Sequence, residues 1–177
     1  MNVIESRIHG AKLISPKVFE DERGFFLETF QRKSYQEILE TDLEFVQDNQ
    51  SRSFQGVLRG LHFQSSRPQG KLVRVVRGQV FDVAVDIRPG SPTFGMWDGF
   101  YLGEEDKAQF WLPPGLAHGF VVLSDYADFE YKCTDYYDPS GEKCLLWNDP
   151  EINISWPVEN PRLSAKDNLG KLFKELF

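Results

Sequence analysis

The sequence predicts an all-β chain of the jelly-roll kind, a β-sandwich or barrel with a short helix in its amino-terminal half and another near its carboxyl end. Three observations carry this reading. Short runs rich in Val, Phe, Tyr and Ile recur between about residues 20 and 160, separated by Gly, Pro or Asp-Pro, which is the rhythm of strands and turns. The stretch Phe81–Arg88 alternates, with Phe81, Val83, Val85 and Ile87 on one face and Asp82, Asp86 and Arg88 on the other. Aromatic residues make up 14% of the chain, so a hydrophobic content of only 41% still supplies large side chains for a core.

In chain order, strands are expected near 25–30, 45–50, 57–64, 72–76, 81–88, 97–102, 108–112, 118–124 and 128–135. Arg77-Gly78-Gln79 joins Leu72–Val76 to Phe81–Arg88 as a hairpin, and the second strand reads as half-buried. Arg88-Pro89-Gly90-Ser91-Pro92 closes its far end. Ser34 with Glu37 forms a capping box, which predicts a short helix through about Glu40. Ser164-Ala165-Lys166-Asp167 precedes Leu169, Leu172, Phe173 and Leu176, spaced as one apolar helical stripe that packs on the sheets. No repeat, low-complexity tract or charged linker divides the 177 residues, so one domain spanning 1–177 is expected.

Twenty Lys and Arg against 27 Asp and Glu leave a formal charge of −7, which opposes binding to a nucleic-acid backbone. An anionic ligand therefore needs a local cluster of basic residues. Glu5 and Arg7 interrupt any apolar leader, and no run approaches the roughly 18 apolar residues of a spanning helix. A soluble, cytoplasmic protein without membrane contact is expected. Cys133 and Cys144 lack CxxC spacing and read as two reduced packing thiols.

Two of the three histidines sit in glycine-bounded segments, Gly60-Leu61-His62-Phe63-Gln64 and Pro113-Pro114-Gly115-Leu116-Ala117-His118-Gly119. With Gly56, these resemble the two halves of the cupin signature. A metal-binding cupin would carry a second histidine where Gln64 stands and a glutamate soon after, yet Ser65-Ser66-Arg67-Pro68-Gln69 has no carboxylate. Two imidazoles are too few for a catalytic zinc or iron centre, so neither metal nor cofactor is expected. Acid–base or hydrogen-bonding work remains. His62 can accept a proton if a carboxylate orients its other nitrogen. Tyr131 shares a strand face with Phe129 and Cys133, so if Phe129 points inward the phenol does too. An imidazole and a phenol across a cavity suit a reaction that needs base and acid on opposite sides of a substrate.

At this point the resemblance becomes specific. Arg23-Gly24-Phe25-Phe26-Leu27-Glu28, Gln47-Asp48-Asn49, Arg59-Gly60-Leu61-His62, Gln69-Gly70-Lys71-Leu72-Val73, Ser91-Pro92-Thr93-Phe94-Gly95, Ala117-His118-Gly119-Phe120, Thr134-Asp135-Tyr136-Tyr137 and Leu146-Trp147-Asn148-Asp149 follow one another in family order. Together they resemble the dTDP-4-dehydrorhamnose 3,5-epimerase family from about Arg7 to Asp167. The resemblance implies a dTDP-4-dehydro-6-deoxy-D-glucose substrate whose C3 and C5 hydrogens are acidified by the C4 ketone. It implies His62 as the base, Lys71 as the group that stabilises the enolate oxygen, Tyr131 as the acid on the opposite face, and Asp167 as the carboxylate that orients His62. Its position three residues after Ser164 also permits Asp167 a capping role. Arg23 and Arg59 are implied phosphate ligands, and Glu28, Gln47, Asp48, Asn49, His118, Glu142 and Lys166 further substrate contacts. A homodimer is implied, with the amino-terminal segment exchanged between subunits. The sequence departs at Phe63, where the family often has Tyr, and in the hairpin 103–107. It leaves open inversion at one centre rather than two, a ketoisomerase, a metal-cupin oxygenase and a non-catalytic sugar-nucleotide binding module.

Overall fold

The computed structural model describes residues 1–177. Thirteen strands form: β1 (Asn2–Glu5), β2 (Lys12–Ser15), β3 (Val18–Asp21), β4 (Gly24–Leu27), β5 (Gln47–Phe54), β6 (Leu58–Gln64), β7 (Lys71–Arg77), β8 (Gln79–Asp86), β9 (Trp97–Gly103), β10 (Gln109–Leu112), β11 (Leu116–Val122), β12 (Tyr126–Cys133) and β13 (Glu142–Cys144). A six-stranded antiparallel sheet runs β1-β2-β10-β7-β12-β5 and a five-stranded one runs β13-β6-β11-β8-β9, while β3 and β4 form a separate hairpin. The two large sheets make the jelly-roll sandwich that the strand rhythm predicts. The expected strands from 45 onward all form, shifted by a few residues. β1, β2, β3 and β13 lie outside the strands that the sequence predicts.

Strand β8 departs most from expectation. It is buried on both faces, not half-buried. Its apolar face, with Phe81, Val83 and Val85, turns away from the sandwich interior and packs with Trp147, Ile154, Trp156 and Phe173 of the carboxyl-terminal segment. Its other face points between the sheets, where Val80 and Ala84 join Val73, Phe110, Phe120 and Phe129 in the main core. Asp82 and Asp86 lie on that interior face and are fully buried. The alternation was real, but a second layer of chain covers the face that carries the larger apolar side chains.

Helix α1 (Arg32–Leu39) begins before the expected Ser34 cap. Gln31 caps it instead: its Oε1 accepts from the backbone N–H of Ser34 at 2.7 Å and from the Ser34 hydroxyl at 2.9 Å. Tyr35 and Leu39 then pack with Ile14, Leu72 and Trp111 in a third core cluster, against the outer side of the six-stranded sheet. The single carboxyl-terminal helix does not form. Two single turns, α2 (Ala165–Asn168) and α3 (Phe173–Leu176), flank a segment whose Lys171 N–H donates to Cys144 O at 3.0 Å and whose Lys171 O accepts from Leu146 N–H at 2.8 Å. Gly170 passes so close to Leu146 that a Cβ would sit 2.8 Å from its Cα. Strand-like pairing thus competes successfully with helical bonding here, and Leu169 of the predicted stripe is 81% exposed. Phe173 is buried as expected, with Leu176 packed nearby.

Candidate active site

Register in the six-stranded sheet builds one wall of a cavity. Cys133 pairs with Gln47 on one side and Lys71 on the other; two residues along, Tyr131 pairs with Asn49 and Val73. Directly paired residues share a sheet face, so Gln47, Asn49, Lys71 and Tyr131 project together. In the facing sheet His62 pairs with His118 on β11 and with Cys144 on β13. Gln47, Asn49, His62, Lys71, Tyr131 and Glu142 border one cavity of about 300 Å³, with Phe63, Gln64, Gln69, Cys133 and Tyr137 completing its lining.

The His62 Nε2 lies 2.5 Å from Asp167 Oδ1, leaving Nδ1 as the other ring nitrogen. The ring is 30% exposed and the carboxylate 4%. Burial works against the Asp167 charge, but hydrogen bonds from His62 and Ser164 and the nearby charges of His62 and Lys166 hold the carboxyl below its ordinary range. Ser164 is the cap of α2, its hydroxyl oxygen accepting from the Asp167 N–H at 3.1 Å. The two readings of Asp167 are therefore compatible: the backbone serves the cap and the side chain faces the imidazole.

Lys71 Nζ sits 6.0 Å from the centroid of the Tyr131 ring. Burial pushes the Lys71 ammonium down, against the opposing pull of Cys133, Asp82 and Glu142. Burial raises the Tyr131 phenol, so it holds its proton at neutral pH. At the rim, Glu142 accepts from the Tyr137 hydroxyl at 2.7 Å and pairs with Lys166. Burial disfavours the Glu142 charge, yet these partners bring its pKa below the usual carboxylate value. Gln47 donates to Asn49 Oδ1 at 3.1 Å and accepts from the Tyr137 backbone N–H at 2.9 Å, so both amides are held in fixed orientation.

Other residues singled out in the sequence lie elsewhere. His118 is buried, with Nε2 2.9 Å and 3.1 Å from the two carboxylate oxygens of Asp82 and its ring stacked on Phe129. Burial lowers His118 and raises Asp82. Arg59 donates to Ser53 Oγ at 2.8 Å and borders a second depression, which reaches His62 and Asp167 from another side. Asp48 points to the opposite face of β5, where it pairs with Lys132 at 2.9 Å. Arg23 is tied to Asp21 on the β3–β4 hairpin, and Glu28 is exposed just beyond it. Neither borders the cavity within one chain.

Sequence reasoning missed Asp82, Gln69, Tyr137 and Cys133. A carboxylate inside an apolar strand was the available signal for Asp82, and a strand face shared with Tyr131 was the signal for Cys133; Gln69 and Tyr137 carried none. Gln64, at the cupin ligand position, is committed to structure: its amide donates to Arg67 O at 2.7 Å and accepts from Asp138 N–H at 2.8 Å. With His118 turned to Asp82 as well, the side chains present do not match a cupin metal set.

A family model described as dTDP-4-dehydrorhamnose 3,5-epimerase matches residues 5–175. The chain belongs to that family. Among curated members of the dTDP-4-dehydrorhamnose 3,5-epimerase family, the Pseudomonas aeruginosa enzyme of that name is 56% identical over 164 residues, covering 92% of this chain and 91% of its own length. The solved dTDP-6-deoxy-D-glucose-3,5-epimerase of Legionella pneumophila, in complex with dTDP-4-keto-L-rhamnose, is 57% identical with a TM-score of 0.95, over 98% of this chain and 93% of that one. A 3'-monoepimerase from Streptomyces bikiniensis in complex with dTDP-quinovose is 34% identical with a TM-score of 0.89, covering 95% and 86%.

Proposed function

We propose that this epimerase inverts C3 and C5 of dTDP-4-dehydro-6-deoxy-D-glucose, giving dTDP-4-dehydro-L-rhamnose for dTDP-L-rhamnose synthesis, without metal or other cofactor. The reading is carried by one observation: an imidazole backed by a buried carboxylate borders the same cavity as a lysine and a protonated phenol, and the two sets come from opposite sheets. In this mechanism Nδ1 of His62 takes the hydrogen beside the C4 ketone as a proton, and the bonding pair moves to the carbonyl oxygen as an enolate. Lys71 stabilises that oxygen, and preorganised charge at a developing oxyanion is often the largest catalytic contribution. Tyr131 then returns a proton from the other face, the enolate collapses to the ketone, and exchange with solvent resets His62 and Tyr131. Asp167 keeps the His62 ring oriented and stabilises its protonated form.

Gln47 and Asn49 are assigned to the nucleotide base, Glu142 and Lys166 to the cavity rim, Arg59 to phosphate, and His118 and Asp48 to supporting positions around them. The hairpin β3–β4 is assigned to a second subunit's site, so that Arg23 and Glu28 act across a homodimer. Phe19, Phe25 and Phe26 of that hairpin are 51%, 59% and 69% exposed, and β5 is an edge strand of the six-stranded sheet. Such an edge and such a patch both call for a covering partner. No helix is long and apolar enough to cross a membrane. Two free thiols suit a reducing cytoplasm, and residues 1–177 are read as one cupin-like domain.

The test is incubation with the dTDP-4-keto sugar in deuterated water, followed by NMR of the product. Deuterium at both C3 and C5 with the L-configured product is expected. Label at one carbon only would support the second reading, a single-centre epimerase, which the likeness to the monoepimerase keeps specific. Light scattering should give twice the chain mass, and Phe26→Asp should reduce it to one.

A further inference from the structure

Three chemically different donors converge beside the cavity. A ring nitrogen of His62, a carboxylate oxygen of Asp167 and Cys144 Sγ all lie within 4.8 Å of one another. Their meeting is built into the backbone: Cys144 pairs with His62 across β13 and β6, and the α2 cap holds Asp167 behind them. The Cys144 sulfur lies 4.0 Å from Asp167 Oδ1 and makes only long contacts, 3.6 Å, to two carbonyl oxygens.

Zinc takes nitrogen, oxygen and sulfur ligands at about 2.0–2.3 Å in a tetrahedron, which puts the donors about 3.3–3.8 Å apart. Here the nitrogen–oxygen separation of 2.5 Å must open and the sulfur–oxygen separation of 4.0 Å must close slightly. The nitrogen–sulfur separation, within 4.8 Å, must close by up to about 1.5 Å, so all three changes are small side-chain rotations. The donor set also differs from the cupin one, since it uses neither His118 nor the Gln64 position.

We propose that His62, Cys144 and Asp167 form an inhibitory site for a thiophilic divalent cation such as zinc, and that Cys144 sets the sensitivity of this enzyme to it. The inhibitory part rests on the proton-transfer role proposed above for His62. A cation on Nε2 displaces the ring proton that faces Asp167. The neutral imidazole then carries its one proton on Nδ1 and has no lone pair left for substrate. The thiol releases its proton to solvent as the metal–sulfur bond forms, and thiolate with carboxylate balances the two positive charges. His62 borders both the cavity, beside Glu142, and the depression that Asp167 also borders, so the ligand set is reached from between the two. A fourth ligand position is left for water.

The experiment starts from metal-free full-length protein kept reduced with a phosphine. Cobalt(II) is added without substrate, and the near-ultraviolet thiolate-to-cobalt band is recorded. One equivalent should produce the band in the wild type and in Cys133→Ala, and none in Cys144→Ala. Calorimetry with zinc should show one site, at least about tenfold weaker in Cys144→Ala and lost in His62→Asn. Zinc should stop deuterium exchange into the sugar and a chelator should restore it. Cys144→Ala should keep its metal-free turnover and need at least about tenfold more zinc for inhibition. A band that persists without Cys144, or equal zinc affinity in the variant, overturns the site. A band with the expected Cys144 dependence in a protein that exchanges no sugar hydrogen would retain the metal site and remove the catalytic reading instead.

Discussion

Two histidines face each other across neighbouring strands, each beside an aspartate, and they differ in one respect that decides their work. The His62 ring is 30% exposed, to a cavity, while the His118 ring is 9% exposed and its Asp82 partner 0%. A proton can reach the first pair and leave it. The second pair is enclosed by Phe129 and the main core, where charging either group costs desolvation that its partner offsets, with Lys71 also favouring the Asp82 charge. In the proposed mechanism the same pairing serves turnover at His62 and architecture at His118, and access to solvent makes the difference.

Substitutions test this division directly. His62→Ala should lower turnover by about 10³-fold or more, within the usual range for losing a general base together with its proton path, while the melting temperature stays near wild type. His118→Ala should do the reverse: it strands Asp82 in the core and should destabilise the fold by about 3–5 kcal/mol, read by urea denaturation, with far less effect on turnover in the folded fraction. If His118→Ala abolished exchange in a fully folded protein, the division would fail. Asp167→Asn should cost about 10²-fold in turnover because the amide orients the ring but cannot stabilise its charge, and the loss should fall on kcat more than on KM.

A smaller effect separates Asp86 from Asp82, two buried carboxylates on the same face of β8. Burial opposes the Asp86 charge, but Arg88, Ser91 and Thr93 donate to it and bring its pKa down to about 2 from 3.8. A depressed carboxylate contributes stability above its unfolded pKa and loses it as pH falls toward the folded value. About 2 kcal/mol of stability should therefore vanish between about pH 4 and pH 2. Melting curves across that range should show the loss in the wild type and a flatter profile in Asp86→Asn.

Much of the sandwich was readable from residue order because its long strands alternate and its turns carry Gly and Pro. The candidate site was readable only in part. His62, Lys71 and Tyr131 lie in distinctive local runs, and strand parity puts Tyr131 on the side of Phe129. Whether that side faced a cavity depended on how two sheets stack, which no local pattern encodes. Strand β8 shows the limit most clearly: its alternation was visible, but which face met the interior depended on Trp147, Trp156 and Phe173, some 60 or more positions away. The carboxyl-terminal helix failed for a related reason, since its backbone found partners in Cys144 and Leu146 that a helical-stripe argument does not consider.

Asp167 reaches His62 across 105 positions of chain, on a segment fastened to the sheet edge at Lys171. A protease that nicked the loops after Asp149 could therefore leave a sandwich with its strands in place and the proposed base unsteadied. The same docking that shields the aromatic underside of β8 also delivers the last piece of the dyad, so a newly made molecule should gain its activity late, when its tail settles.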